Sequence, residues 1–278
     1  MLRAEWAVHP PHPRLRPFVA RYIGYSQHGN TLAVHRGLPS RHITLIISLE
    51  RPIRVVGMPR ADQSPGEFHG LVGGLHTAPS LIAQDAVQRG VHVELEPLGL
   101  HALLGLPSAE LAGSVVDLAD LGLASLPERL AEAPDWPHRF RVLDDVLRAR
   151  LTDDVAPAPE VGWAWRRMRA AAGGVRVDAL AREVGWSRRH FGERFRRELG
   201  LSPKQAARVL RFERAGLLLR ARPRADLAEL AVECGYYDQA HLTHEWRALA
   251  GCPPGAWMAE ELPFLQDDDV WPGAESGT

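Results

Sequence analysis

Arg189, Gly192, Glu193 and Arg196 fall at the i, i+3, i+4, i+7 spacing of a single helix face, with Arg188 beside them. Phe191 and Phe195, one turn apart, take the opposite face and belong to a core. A second stretch repeats the arrangement. Leu242, Trp246 and Leu249 mark its inward face, which turns Gln239, Ala240, Thr243, His244 and Arg247 outward. These exposed groups suit the reading of base edges: arginine pairs with guanine, glutamine with adenine, and an alanine or threonine methyl meets thymine. One such stripe is as readily an ordinary solvated face. Two in repeated units argue against that, because helix-turn-helix proteins lay this helix in the major groove. Arg189, Gly192, Glu193, Gln239, Ala240, Thr243 and His244 are therefore expected at base edges, and Arg188, Arg196, Arg208 and Arg247 at phosphates.

The elements that must carry these residues are legible around them. Residues 177–187 and 227–238 repeat each other, with Leu180/Leu230, Ala181/Ala231, Val184/Cys234, Gly185/Gly235 and Trp186/Tyr236 at an offset of 50. Each repeat is a short apolar-faced helix ended by a glycine, where the chain must leave through a left-handed conformation. Small Ala181 and Ala231 admit a second helix, which starts at a capping residue, Ser187 or Asp238. Between the units, Ser202 caps a helix with Pro203 at its first position, and Ala206, Val209, Leu210 and Leu217 give it an apolar stripe. A helix of about 17 residues spans about 25 Å, enough to hold two recognition helices about one DNA turn apart. Arg211 and Arg214 on it are read equally as phosphate contacts or as ordinary surface.

Gly185-x-Ser187 with Phe191, Phe195, Gly200, Ser202 and Pro203 resembles the AraC/XylS family of bacterial regulators. So does Gly235-Tyr236-Tyr237-Asp238-Gln239-Ala240-His241-Leu242 with Trp246, Gly251 and Pro253. The departures are Cys252-Pro253-Pro254 where Ser/Thr-Pro is usual, Leu242 and Trp246 where phenylalanines are common, and His244 where arginine is frequent. The resemblance implies a regulator that activates or represses promoters on double-stranded DNA, with RNA polymerase as partner if it activates. It also implies an N-terminal domain that binds a small effector or forms a homodimer. Glu96 to Gly105 and Val115 to Leu118 resemble the second half of such sensor domains, a likeness that names no ligand.

Charge agrees with this division. The net charge of −1 conceals 18 Lys and Arg against 11 Asp and Glu in residues 160–257, while residues 258–278 hold six acids and no base. A basic segment in a neutral chain is the footprint of a polyanion-binding domain. Candidate strands lie at 19–25, 43–49, 53–56, 71–73 and 91–95, and candidate helices at 127–133 and 137–151, the latter with Asp144 as a polar intruder among apolar positions. The expected class is α+β: a mostly-β, barrel-like domain with trailing helices over 1–151, a linker over 152–159, an all-α domain of two helix-turn-helix units joined by a helix over 160–257, and an acidic tail over 258–278.

Ten of the 13 histidines precede residue 139, and His42, His69, His76 and His92 could meet at a barrel mouth. None has zinc-type spacing, so no metal is expected. Trp6, Tyr22 and Tyr25 are read as core more readily than as pocket lining. Cys234 and Cys252 form no disulfide framework, and Cys234 reads as a buried thiol. No nucleophile elbow, phosphate loop or dinucleotide fingerprint is present, so neither a catalytic residue nor a cofactor is expected. Without an apolar run of membrane length or a signal-peptide core, the chain is expected in the cytoplasm. The competing reading keeps DNA binding but makes the N-terminal half an interaction module or a DNA-repair activity. An alkyl-acceptor version is excluded, since no cysteine precedes residue 234.

Overall fold

The computed structural model describes residues 3–152 and 157–261. Most of the expected linker core and the tail beyond 261 lie outside the described residues.

Among the described residues, ten strands build the N-terminal part: β1 (Arg3–His9), β2 (Val19–His28), β3 (Val34–Gly37), β4 (Ile43–Ser48), β5 (Ile53–Gly57), β6 (Gly66–Phe68), β7 (Gly70–Gly73), β8 (Ser80–Ala83), β9 (Val87–Leu95) and β10 (Val115–Asp117). They form a six-stranded sheet, β1-β2-β9-β4-β7-β10, and a four-stranded sheet, β3-β8-β5-β6, with antiparallel pairing throughout. The five strands expected from sequence are all present. The five others are mostly short or polar, and pairing with a neighbour stabilises them more than their own composition does.

The large sheet is apolar on both faces. Tyr22, Ile43, Leu45, Ile47, Val72, Val91, Val93 and Leu95 are buried in a core shared with the helices. The opposite face contributes Leu71 and Val115, which pack with Val55 of the small sheet. The trailing helices are α1 (Leu100–Leu104), α2 (Ser108–Leu111), α3 (Leu126–Glu132) and α4 (Trp136–Arg150). The polar intruder on α4 has a structural reason: Asp144 Oδ1 accepts from the Tyr22 hydroxyl and from the His12 backbone N–H, both at 2.9 Å. Tyr22 is thus core, as expected, and burial first, then Asp144, pushes its phenol pKa up.

Seven α-helices follow among the described residues: α5 (Pro159–Ala170), α6 (Val177–Glu183), α7 (Arg188–Leu199), α8 (Pro203–Ala221), α9 (Leu227–Glu233), α10 (Gln239–Ala250) and α11 (Pro254–Glu260). The expected tail from 258 begins inside α11. Trp257 and Glu261 are both fully buried, and their burial carries the fold past the expected boundary.

The two parts share one hydrophobic core, which runs from Leu45 and Val93 through Leu104 and Leu111 to Phe195, Leu199 and Trp246. Ion pairs reinforce the junction. Arg169 Nη1 of α5 donates to both Glu96 oxygens at 3.0 and 2.8 Å. The fully buried Glu261 carboxylate accepts from the Arg36 backbone N–H at 2.8 Å and faces His35 Nδ1 at 2.7 Å, on β3.

No described helix is long and apolar enough to cross a membrane.

Candidate nucleic-acid interface

Two helix pairs, α6–α7 and α9–α10, are built alike. Gly185 and Gly235 turn the chain at φ +72° and +77°. Both lie in the left-handed region, where an added Cβ meets a steric penalty from its own backbone. Ser187 then accepts from the His190 N–H at 3.2 Å, and Asp238 from the His241 N–H at 2.7 Å, so both expected caps are made. Each second helix ends at a left-handed glycine, Gly200 or Gly251. Ser202 forms a full capping box with Gln205 and starts α8, with Pro203 at its first turn.

Burial sorts the side chains as the periodicity predicts. Phe191, Phe195, Leu199, Leu242, Trp246 and Leu249 are buried. Arg188, Arg189, Glu193, Arg196, Gln239, Ala240, His244 and Arg247 are exposed, while Gly192 and Thr243 are half-buried. Arg188, Arg189, Gly192, Glu193, Arg196 and Ser202 line one shallow open depression on α7. The expected base and phosphate residues of the first unit are therefore brought together on one surface.

Two pairings modify the picture. Arg189 Nε donates to Glu193 Oε1 at 2.9 Å, one turn along α7. Both are largely exposed, so solvent screens this pair and it yields readily to a stronger partner. Arg208, expected at phosphate, is half-buried on α8, and its Nε donates to both Glu245 oxygens at 2.9 Å. Through Nε it ties α8 to α10. Arg211 likewise lies over the Tyr236 ring at 5.8 Å and donates to the Gly173 carbonyl at 3.3 Å. Arg214 is exposed. Sequence spacing put Arg208 on a helix, and only the approach of α10 shows which way it is committed.

One constellation escaped the periodicity. Trp186 stands edge-on to His190 with ring centroids 4.8 Å apart, and Tyr236 edge-on to His241 at 5.4 Å. These matched pairs brace the start of each outward helix. The one signal for them in the sequence was an aromatic after the glycine and a histidine inside the next turn.

Of the four histidines that could have met at a barrel mouth, two come into one electrostatic cluster. His42 Nδ1 is 3.2 Å from Glu94 Oε2 and its Nε2 is 3.6 Å from Glu96 Oε1. Arg21 grips Glu94 through two bonds of 2.8 Å. Burial pulls the His42 pKa down, but the Glu94 and Glu96 carboxylates beside the ring outweigh it and the net shift is upward. His92, in the same field, is pushed down to about 4 by burial. His76 bonds instead to the Ala78 carbonyl at 2.5 Å, and His69 is exposed. Trp6 meets Tyr25 at 6.0 Å. Among the described residues, no three or more His, Cys, Asp or Glu are grouped to hold a metal ion. Both cysteines are free and buried, and burial pushes the Cys234 thiol up to about 11.

Comparison with known proteins bears on both parts. A helix-turn-helix domain family matches residues 180–260, from within α6 to the end of α11. A domain of unknown function, DUF6597, matches residues 7–117. No curated protein matches the chain. Among solved structures, ToxT from Vibrio cholerae O395 is similar at 9% identity over 93% of this chain and 97% of its own, with a TM-score of 0.48. Wild-type ToxT from Vibrio cholerae strain SCE256, solved with an unsaturated fatty acid bound, is similar at 8% identity over 93% of this chain and 95% of its own, with a TM-score of 0.48. A Chromobacterium violaceum transcriptional regulator with an AraC-type DNA-binding domain is similar at 22% identity over 41% of this chain and 96% of its own, with a TM-score of 0.32. The family match at 180–260 falls on the two capped helix pairs and the α8 helix between them, and this C-terminal part is a helix-turn-helix domain of the AraC type.

Proposed function

We propose that α7 and α10 enter two adjacent major-groove segments on one side of duplex DNA. Arg189, Gly192 and Glu193 of α7, with Gln239, Ala240, Thr243 and His244 of α10, meet base edges. Arg188, Arg196 and Arg247 meet phosphates. Arg208 acts at one remove, by holding α10 on α8 through Glu245. The observation that supports this most is the duplication itself: two capped helices, each with its aromatic or aliphatic face buried and its polar face in solvent. The Arg189–Glu193 pair gives the first unit a simple binding step, in which guanine O6 and N7 replace the carboxylate as the partner of the guanidinium.

The N-terminal domain is the control element in this reading. It shares a core with the DNA-binding helices and grips them through Arg169–Glu96 and Glu261–Arg36. An effector or protein partner that shifts the sheets therefore also shifts α5 and α11. A small molecule that binds there raises the melting temperature by mass action. A purely interacting module shows no such shift with any metabolite class.

Selection from random duplex DNA by the full-length protein, followed by affinity at two salt concentrations, tests the proposal. Enrichment of a motif with two elements about one helical turn apart is expected. Binding that is steeply salt-dependent with no enriched motif would overturn it.

A further inference from the structure

Tyr237 is 88% exposed, the most exposed large apolar side chain among the described residues. Its place in the repeat accounts for its presence. The two units run at an offset of 50 as far as Trp186 and Tyr236, whereas the caps Ser187 and Asp238 and the core pairs Phe191/Leu242 and Phe195/Trp246 run at 51. One residue has been inserted in the second unit, between the bracing aromatic and the cap, and that residue is Tyr237.

The structural task of an aromatic at this turn is already filled. Tyr236 is buried and braces His241, as Trp186 braces His190. An apolar residue just before a helix cap ordinarily folds back onto the first turn; Tyr237 does not, and its ring stays in solvent. Its backbone is nevertheless tied, because its N–H donates to His241 Nδ1 at 3.2 Å. The side chain is thus held out from a fixed point at the N-terminal end of α10, the end that lies nearest the groove in a docked recognition helix.

We propose that Tyr237 is a further DNA contact, its ring lying along a deoxyribose beside the groove that α10 enters and its hydroxyl donating to a phosphate oxygen. This rests on α10 being a DNA-facing helix. Tyrosine is among the side chains that hydrogen-bond phosphate, and such contacts position the protein without reading sequence. A phenol is neutral, so this contact releases no counterion and differs in that respect from an arginine on phosphate.

The test uses full-length protein, the duplex enriched by selection and a scrambled duplex, each at two salt concentrations. Tyr237→Phe is expected to lose about fivefold in affinity and Tyr237→Ala about tenfold or more. Both losses fall on the two duplexes alike, with the salt slope of the wild type retained. Unchanged melting temperatures are expected for both variants, since the ring is exposed. Affinity of Tyr237→Ala within twofold of wild type on both duplexes overturns the proposal. So does a loss confined to the selected duplex, which would mark a base contact. Wild-type protein with no preference between the duplexes is a different result: it removes α10 from the groove, and this proposal falls with it.

Discussion

Arg189 and Glu193 hold each other on α7 in the free protein, and both stand where base edges are expected. Arg189→Ala is expected to cost about tenfold to a hundredfold in affinity and to relax preference at one base position, read by repeating the selection with the variant. Arg196, one turn further along the same face, is the residue proposed at a phosphate. Arg196→Ala should weaken all duplexes alike and reduce the salt slope by about one. Equal weakening of all sequences by both variants would show that the two roles are wrongly divided. At this scale the outward positions of α7 and α10 were readable from the 3.6-residue period, because the aromatic and aliphatic residues opposite them announce the inward face. Arg208 was not readable. Its Glu245 partner is 37 residues away on another helix, and no local pattern encodes that meeting.

Turns and caps carry the element scale. Gly235 sits at φ +77° with its nearest neighbour, a flexible Arg211 side chain, at 3.7 Å from an added Cβ. Gly235→Ala therefore meets backbone strain alone, and about 1–2 kcal/mol of lost stability is expected in denaturant unfolding. Gly200 also has positive φ, but an added Cβ would lie 2.8 Å from Ala112 Cβ and 2.9 Å from the Ser108 carbonyl oxygen. Gly200→Ala should therefore cost more than Gly235→Ala; an equal cost would mean that α2 gives way freely. Glycine, cap and proline signals are local chemistry, and each expected one is found in place. The short strands β3, β6, β8 and β10 lack that local chemistry. Their residues are extended because a neighbouring strand offers its N–H and C=O groups.

At the scale of the whole molecule, the buried charges at the junction make stability depend on pH. His42 has a raised pKa, so its contribution is complete below about 6.5 and is lost as pH rises through the raised value. Glu94 and Glu96 work on the acid side. Burial would raise their pKa values, but His42 with Arg21 or Arg169 lowers them, so their contribution is present above about 4.3 and is lost as pH falls through the lowered values. His92, buried neutral with a pKa of about 4, adds to the loss between about 6.5 and that value. A melting series against pH should thus fall on both sides, and His42→Gln should flatten the alkaline limb and leave the His92 contribution on the acid limb. An alkaline limb unchanged by His42→Gln would remove His42 from that role. Glu261→Ala strips a fully buried carboxylate from His35 and Arg36, and about 3 kcal/mol of lost stability is expected in equilibrium unfolding.

Sequence alone determined the two helix-turn-helix units, their caps, the direction of their polar faces and the central strands. All of these follow from interactions within about a turn of helix or from alternation along a single strand. The tertiary structure decided the rest. It extended the fold to Glu261, committed Arg208 to Glu245, brought His42 and His92 together while leaving His69 and His76 apart, and joined both parts in one core. Those outcomes depend on contacts between residues far apart in the chain, where burial and charge pairing set partners that no spacing along the sequence records.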